Sequence, residues 1–300
     1  MIVKNIIFFA VAYIKEQIMI YITDEIIDKI IKEDMPYSDI TTEMLGIGEE
    51  KGIISFYTRS EGVIAGAEIA GKIFTKLGCE VLSKVESGEK LSTDSLILQA
   101  KGKACALHTG WKVSLNTLEY LSGIASLCRE MADAAHSVNK NVVLAATRKS
   151  MPLSRELVTL AFQAGGVAAH RLGLSETVLI FKQHLEFIGG LDNLEKVIKS
   201  SNHKMVEKKI ILETENIQDS LKALHYDFID GLQLDKLSPD EIKNIVTEKN
   251  KINPKMLILA AGGINKGNIK EYAKAMPDVI VSSAFFHAKP LDIKAVIEKE

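Results

Sequence analysis

The stretch NVVLAATRKSMPLSRELVTLAFQAGGVAAHRLGLSETVLIF (141–181) decides the fold, because it holds one complete unit of strand, helix and strand. An apolar strand is predicted over 141–147, a helix over 152–164 and a second apolar strand over 177–181. Strands that alternate with helices favour a parallel sheet joined by right-handed crossovers. Both strands are apolar almost throughout, which is typical of strands covered on both faces.

The same alternation continues to the C-terminus. Further apolar strands are predicted at 209–214, 228–234, 256–261 and 278–283, and further helices at 191–200, 216–225, 239–249, 266–275 and 291–299. Six such strands favour an incomplete TIM-like α/β barrel over an open doubly wound sheet. Ahead of the barrel, short β-rich runs between Gly52 and His108, interrupted by a helix at 67–77, predict a small α/β-sandwich domain.

We predict the domain boundaries from these changes in pattern. Residues 1–18 form an extension to which no role is assigned, and the apolar run at 5–14 is shorter than the roughly 20 residues that span a bilayer. Residues 19–127 form the sandwich domain with a helix that leads onward, and residues 128–300 form the barrel domain. No other run is long and apolar enough to cross a membrane, so no membrane span is expected.

Composition and charge narrow the class of protein. The net charge of −2 gives no positive field of the kind that attracts nucleic acid, so no nucleic-acid partner is expected. Cys79, Cys105 and Cys128 form no C-x-x-C pair, which predicts free thiols in a reducing cytoplasm. The chain also lacks the H-E-x-x-H and EF-hand patterns, so we expect no metal site held by the protein alone.

Candidate site residues follow the predicted strands, where barrel enzymes place their chemistry. Cations come after the first strand, carboxylates after middle strands and small residues after the last two: Arg148, Lys149, Glu213, Asp235, Gly262, Gly263, Ser282 and Ser283. Glycine and serine at the last strand ends are typical of a barrel phosphate site, because backbone N–H groups approach an anion closely there. His170 and Arg171 lie in a loop before the strand at 177–181, and with Arg148 they predict an anion-binding pocket.

Three motifs resemble one known family. ATRKSMPLSRELVTLAFQAGGVAAHRLGLSETVLI (146–180) resembles the T-R-K-T-x-P, G-G and H-R-x-G-L-S-[DE] core of the quinolinate phosphoribosyltransferases. KEDMPYSDITTEML (32–45) and SLNTLEYLSGIAS (114–126) resemble the opening and the long helix of that family. The similarity runs over about 24–300, and the combination of motifs is highly specific.

The chain departs from the family at several positions. The family's arginine before the long helix is Lys112, its strand-end lysine is Phe181, the first acid of its E-V-E strand is Ile211, and the asparagine of its Asp-Asn pair is Lys236. Together these changes resemble the ModD branch of the family, the pyrophosphorylase-like proteins associated with molybdenum transport.

The resemblance implies a homodimeric enzyme that uses phosphoribosyl pyrophosphate together with Mg²⁺. The family joins a pyridine dicarboxylate to the phosphoribosyl group, and pyrophosphate and CO₂ leave. A basic residue of the partner subunit, Lys112 by position, completes each site. By position, the substrate-binding residues would be Lys112, Arg148, Lys149, His170 and Arg171, the catalytic residues Lys149, Glu213 and Asp235, and Mg²⁺ would lie with the substrate near these two carboxylates.

Four interpretations stay open at this point. The first is a phosphoribosyl-transferring enzyme of the ModD type with an anionic heteroaromatic acceptor. The alternative is a quinolinate phosphoribosyltransferase of NAD synthesis, which Phe181 in place of lysine and Lys112 in place of arginine disfavour. A third is a non-catalytic anion-binding accessory protein, which Glu213 and Asp235 disfavour because carboxylates contribute nothing to anion binding. A Schiff-base aldolase barrel that uses Lys149 is a distant fourth.

Overall fold

The computed structural model describes residues 20–201 and 207–300, so the predicted extension at 1–18 lies outside the described residues. The described chain divides into two compact units. The first, which we call the N-terminal unit, contains the residues up to 129 together with 150–166 and 286–300. The second, which we call the barrel unit, contains 130–149 and 167–285.

The N-terminal unit is built around an antiparallel sheet. Its strands are β1 (Lys51–Thr58), β2 (Gly62–Val63), β3 (Glu80–Lys84), β4 (Lys90–Leu91), β5 (Leu96–Lys103) and β13 (Ile293–Lys299). Its helices are α1 (Asp24–Asp34), α2 (Ile40–Leu45), α3 (Ala67–Lys76), most of α4 (Ala104–His136), and α5 (Arg155–Ala164). The sheet order is β13-β1-β5-β3, and β2 pairs with β4 alone.

A closely packed core joins this sheet to its helices. Ile54 and Phe56 of β1, Leu98 of β5 and Phe74 of α3 are fully buried in one cluster. The rings of Phe56 and Phe74 lie 5.9 Å apart between centroids. Burying such side chains is the main contribution to the stability of a unit of this size. The antiparallel sheet together with its helices confirms the predicted small α/β domain ahead of the barrel.

The helix predicted over 291–299 is wrong, because this segment forms β13. It pairs antiparallel with β1, from Gly52 opposite Lys299 to Thr58 opposite Ile293. Every second residue packs against the core: Ile293 is buried, and Ala295 and Ile297 are partly buried. This period of two is the spacing of a strand. Pairing with β13 also satisfies the backbone groups along the outer edge of β1.

The barrel unit contains a parallel sheet whose strands are separated by helices. Its strands are β6 (Val143–Ala146), β7 (Ala168–Ala169), β8 (Val178–Ile180), β9 (Ile210–Thr214), β10 (Gly231–Asp235), β11 (Leu257–Ala261) and β12 (Val279–Ser282). Its helices are α6 (Lys182–Ile188), α7 (Leu194–Ser200), α8 (Ile217–Ala223), α9 (Pro239–Ile252) and α10 (Ile269–Lys274), with 3₁₀ turns at Leu191–Asn193 and Ala284–His287.

The seven strands form an open barrel. Their order is β7-β6-β12-β11-β10-β9-β8, so β7 and β8 are the two edge strands and do not pair with each other. This arrangement confirms the predicted incomplete TIM-like barrel. The sequence predicted six strands, and β7 is the seventh. The boundary predicted between residues 127 and 128 falls inside α4, which runs through it unbroken, and it stays a prediction.

The inward face of the barrel is apolar and regular. Alternate strand residues, one or two from each of five strands, form its buried core: Ala145, Leu179, Ile211, Leu259, Ala261 and Val281. Side chains alternate between the two faces of a strand, so the residues two places further along also face inward. Phe181, Glu213 and Ser283 therefore lie on the inward side at the carboxyl ends of the strands. Within the described ranges, no helix combines the length and apolarity that crossing a bilayer requires.

Candidate active site

Two predicted catalytic carboxylates lie on neighbouring strands at the carboxyl edge of the barrel. Glu213 stands on β9 and Asp235 ends β10, which pairs with β9 in parallel. Burial raises the pKa of Glu213, and the negative charges of Asp235 and Glu215 raise it further, while a hydrogen bond from Gln233 opposes them. The two carboxylates therefore lie close enough for the negative charge of Asp235 to raise the pKa of Glu213.

Gln233 is a site residue that sequence reasoning missed. It lies opposite Glu213 in the register of β10 and β9, is 5% exposed, and its Nε2 donates a hydrogen bond to Glu213 Oε2 at 2.5 Å. Its Oε1 is buried, and its side chain also forms a hydrogen bond with that of His170. The available signal was the one polar residue within the apolar run GLQL (231–234), which had to point either outward or into the barrel.

His170 is held next to this glutamine. Its backbone N–H donates to the carbonyl of Ala146 at 2.9 Å, which extends the pairing of β7 with β6 by one residue. Its ring Nε2 is buried, and Gln233 is a hydrogen-bond partner of the His170 side chain. Burial and the positive charge of Arg171 lower the pKa of His170 to about 4, while the hydrogen bond with the Gln233 side chain raises it. His170 is therefore a neutral hydrogen-bonding group at pH 7.

Arg171 joins the two edge strands of the open barrel. It is 8% exposed, and its Nη1 donates to the carbonyl of Thr177, just before β8, at 3.3 Å. Its guanidinium carbon lies 5.8 Å from the centre of the Phe181 ring. Burial lowers the pKa of Arg171, and the charge of Arg148 lowers it further. Because Arg171 makes no salt bridge within the described ranges, it is a buried cation available to an anionic ligand.

The loop after β6 carries the other two predicted cations of the barrel unit. Arg148 is partly buried, and its charge acts on both His170 and Arg171. Lys149 is exposed, and its backbone N–H donates to Thr147 Oγ1 at 3.4 Å. The structure therefore places Arg148 within electrostatic reach of His170 and Arg171. Lys112 belongs to the N-terminal unit, where its exposed ammonium lies 4.7 Å from the Trp111 ring.

The turn after β11 can be made only with glycine. Gly262 has φ of 88°, and a Cβ at this position would lie 2.5 Å from the backbone nitrogen of Lys236 and 2.6 Å from Asp235 Oδ1. Lys236, itself at φ of 61°, donates its N–H to the carbonyl of Ala261 at 2.9 Å. The loops after β10 and β11 thus touch backbone to backbone, and this contact holds Asp235 in place.

The two serines at the end of β12 have different surroundings. Ser282 is buried, and its hydroxyl donates to the carbonyl of Ile264 at 2.6 Å and accepts from the N–H of Ala284 at 3.0 Å. Its side chain therefore ties two site loops together. Ser283, which is partly exposed, follows on the inward side. Of the two predicted phosphate-binding serines, Ser282 uses its hydroxyl within these loops, and Ser283 is the more exposed.

A matched pair of glycine variants tests the turn. Gly262→Ala should lower the free energy of unfolding by about 1–3 kcal/mol and reduce activity, because the new methyl group displaces Asp235 as well as straining the backbone. Gly263→Ala, at φ of 73° with nothing within 4 Å of its Cβ, should cost only the left-handed strain of about 1–2 kcal/mol. Urea unfolding and activity of both variants make the comparison. Equal losses of stability with full activity in both would contradict the contact described here.

A small acidic cavity lies beside Glu213. It has a volume of about 240 Å³ and is lined by residues that include Glu213, Glu215, Asp219 and Lys182. Lys182 forms an ion pair with Glu215 at 3.8 Å. The described residues contain no cluster of three or more side chains that could hold a metal ion. Mg²⁺ in proteins is usually bound by one or two carboxylates, and water and substrate phosphates supply its other ligands. These carboxylates therefore fit a metal ion that arrives together with its substrate.

Comparison with known proteins agrees with this geometry. Residues 124–296 match the sequence model of the quinolinate phosphoribosyl transferase C-terminal domain, and residues 39–122 match that of the N-terminal domain. A ModD protein of Pasteurella multocida is 36% identical over 282 residues, which cover 94% of this chain and all of the relative.

Solved structures show the same fold. Nicotinate-nucleotide pyrophosphorylase of Ehrlichia chaffeensis superimposes with a TM-score of 0.84 at 27% identity, covering 93% of this chain and all of the other. NadC of Streptococcus pyogenes gives a TM-score of 0.83 at 23% identity, with 92% and 98% covered. Both domains of the family, in the same order and over most of the length, are therefore present. The chain belongs to the quinolinate phosphoribosyltransferase family of phosphoribosyl-transferring enzymes.

Proposed function

We propose that the enzyme transfers the phosphoribosyl group of Mg²⁺-bound phosphoribosyl pyrophosphate to a ring nitrogen of an anionic heteroaromatic acceptor. The observation that carries this proposal is the edge of the barrel where the carboxylates Glu213 and Asp235 meet on adjacent strands, with the buried cation Arg171 at the edge strands of the same barrel. Carboxylates alone would repel an anionic ligand, and cations alone would suit binding without chemistry. Both together suit a reaction between anions that passes through a positively charged centre.

The proposed reaction breaks the bond between the anomeric carbon of the ribose and the pyrophosphate oxygen. The lone pair of the acceptor nitrogen forms the new bond, and pyrophosphate leaves with the electron pair. Because the old bond breaks before the new one forms, positive charge develops on the ribose. Glu213 and Asp235 would stabilise this charge electrostatically, as carboxylates do at comparable centres in glycoside chemistry. Lys149, exposed on the loop after β6, would stabilise the leaving pyrophosphate.

Backbone geometry supports a phosphate site at the last strand ends. Gly262 and Gly263 both have positive φ, at 88° and 73°. Because neither residue has a Cβ, an anion can approach the backbone N–H groups of this turn closely. Ser283 adds a hydroxyl on the inward side of the neighbouring strand. These groups would bind the ribose phosphate, while Ser282 keeps the loop in shape.

Enzymes of this family typically depend on a divalent metal. We propose Mg²⁺, held between the substrate and the carboxylates Glu213 and Asp235. When bound, it neutralises part of the charge on the leaving pyrophosphate. The ligands that the protein would supply to the metal are these two carboxylates, which position the metal-bound substrate.

Binding of the donor substrate tests this proposal. Calorimetry should detect saturable binding of phosphoribosyl pyrophosphate in the presence of Mg²⁺, and chelation of the metal should weaken it by roughly tenfold or more, because the pyrophosphate then meets the carboxylates without its counterion. Inorganic phosphate at the same concentration serves as the control for unspecific anion binding. No binding at millimolar donor, with Mg²⁺ present, would rule out the transferase activity.

We further propose a homodimer in which Lys112 of the partner subunit completes each site. The support is the similarity over both family domains and the exposed position of Lys112 near the start of α4.

Free thiols at Cys79, Cys105 and Cys128 support a cytoplasmic location.

Mixing two inactive variants tests the shared site. Lys112→Ala and Arg148→Ala should each lose most activity, and an equal mixture of exchanged subunits should recover about a quarter of the wild-type activity. Half of the dimers in such a mixture are mixed, and each mixed dimer has one intact site out of two. Sedimentation of the mixture should show that dimers are present. Mixed dimers that recover no activity would show that Lys112 does not act across the interface.

A further inference from the structure

Lys236 has a backbone conformation that lysine rarely adopts. It directly follows β10, and its φ of 61° lies in the left-handed region. A side chain is strained in this region, and asparagine tolerates it better than lysine does. Such strain persists where the surrounding structure enforces it, and it is concentrated at functional sites.

The contacts of Lys236 do not explain this lysine by stability. Its ammonium forms an ion pair with Asp235 Oδ2 at 3.6 Å, and 79% of its side chain is exposed. An ion pair that is so exposed contributes little to folding. The hydrogen bond from its backbone N–H to Ala261 is open to any residue except proline. What lysine adds at this position is its positive charge.

The side chain of Lys236 lies between the two parts of the proposed donor site. A Cβ on Gly262 would lie 2.6 Å from Lys236 Cγ, so the lysine stem lies against the glycine turn that is proposed to bind the ribose phosphate. The ammonium lies beside Asp235. Burial raises the pKa of Glu213, and the charge of Lys236 is among the effects that oppose this rise. One long side chain therefore contacts the phosphate turn and acts on both carboxylates.

On the basis of the proposed function, we infer that Lys236 is a binding residue for the anionic donor substrate. In the free enzyme its ammonium neutralises part of the charge of Asp235 and Glu213, where the metal is proposed to bind. In the complex it pairs with phosphoryl oxygens of phosphoribosyl pyrophosphate next to the turn at Gly262. The flexible four-carbon stem allows the ammonium to move from one partner to the other.

Removal of this charge should change the affinities for metal and donor in opposite directions. Without substrate, Lys236→Asn should bind Mn²⁺, a probe for Mg²⁺, roughly threefold or more tightly than the wild type, because no cation competes at the carboxylates. With saturating Mg²⁺, it should bind phosphoribosyl pyrophosphate roughly five- to tenfold more weakly, because one partly screened, charge-assisted hydrogen bond is lost. A residue with a purely structural role would weaken both ligands together. Calorimetry measures both affinities.

Three further variants serve as controls. Lys236→Arg keeps the charge and should keep the donor affinity within about threefold, whereas Lys236→Met keeps the stem against Gly262 and should behave like Lys236→Asn. Lys266→Met removes a lysine that is 63% exposed and paired with Glu130 at 2.5 Å, on the loop after β11. It should leave both affinities within about twofold, because salt screens a distant exposed charge. Lys236→Asn should also resist urea at least as well as the wild type, because asparagine suits the left-handed region.

A donor affinity within twofold of the wild type in both Lys236→Asn and Lys236→Met would overturn the inference. Weaker binding of Mn²⁺ and donor together, or a lower urea midpoint with unchanged affinities, would show that Lys236 only packs the two loops. If the wild type itself does not bind the donor with Mg²⁺, the proposed function fails. Normal donor binding by the wild type and by both uncharged variants removes only the role of Lys236.

Discussion

Glu213→Gln and Asp235→Asn should each lower kcat by roughly a hundred- to a thousandfold, the usual cost of removing one group that stabilises charge in a transition state. Both substitutions keep the size of the side chain and remove its negative charge, so the developing positive charge on the ribose loses a partner. Pyrophosphate release, with an acceptor that the wild type uses, measures the effect. The affinity for phosphoribosyl pyrophosphate should fall much less than kcat.

Glu215→Gln is the matched control for this experiment. Glu215 follows the same strand as Glu213, but it is exposed and paired with Lys182 at 3.8 Å. Its substitution should leave kcat within about threefold of the wild type, because an exposed and screened charge contributes little. Near-normal rates in both Glu213→Gln and Asp235→Asn would show that neither carboxylate stabilises the transition state.

The second large effect concerns quinolinate. The unmodified protein should turn quinolinate over weakly or not at all, because Phe181 offers no cation and Lys112 cannot form the bidentate fork of an arginine. A lost charge-assisted hydrogen bond costs about 1.5–3 kcal/mol, or roughly ten- to a hundredfold in kcat/KM. The double variant Phe181→Lys with Lys112→Arg should therefore raise quinolinate turnover by about that factor.

Phe181→Met with Lys112→Arg is the control, because it changes the aromatic ring without adding a charge at that position. Its quinolinate turnover should stay below that of the lysine variant. Efficient turnover by the unmodified protein would instead support the alternative of a quinolinate phosphoribosyltransferase in NAD synthesis. If the lysine variant gains nothing, selectivity is set elsewhere, and Ile211 and Lys236 are the next positions to change.

The barrel could be predicted because its strands are long, apolar and regularly spaced. Where these signals were absent, the prediction failed. Strand β7 has only two residues, Ala168 and Ala169, which is too short to show a periodicity. Segment 293–299 mixes lysine and glutamate with apolar residues and resembles a surface helix in composition. It becomes a strand because β1 needs a partner along its edge, and no local pattern carries that information.

The sequence alone predicts which residues of the site lie at the ends of strands. Parallel strands end at one edge, so strand-end residues such as Glu213 and Asp235 were expected to meet there. Burial and hydrogen bonding could not be foreseen in the same way. Gln233 stands within a strand rather than after it, and the difference between Ser282 and Ser283 depends on which of two consecutive residues points inward. The position of Arg171, between the edge strands, follows only from the opening of the barrel.

The most direct test of the account is release of pyrophosphate from phosphoribosyl pyrophosphate in the presence of Mg²⁺ and a panel of heteroaromatic acids, with the product identified by mass. We expect release that requires both the metal and one of the acids. The amount of pyrophosphate should equal that of a product that contains the ring and the phosphoribosyl group. The rate of release should fall roughly a hundred- to a thousandfold in Glu213→Gln and stay within about threefold of the wild type in Glu215→Gln. Binding of the donor without release for any acid in the panel, or release equal in all variants, would contradict it.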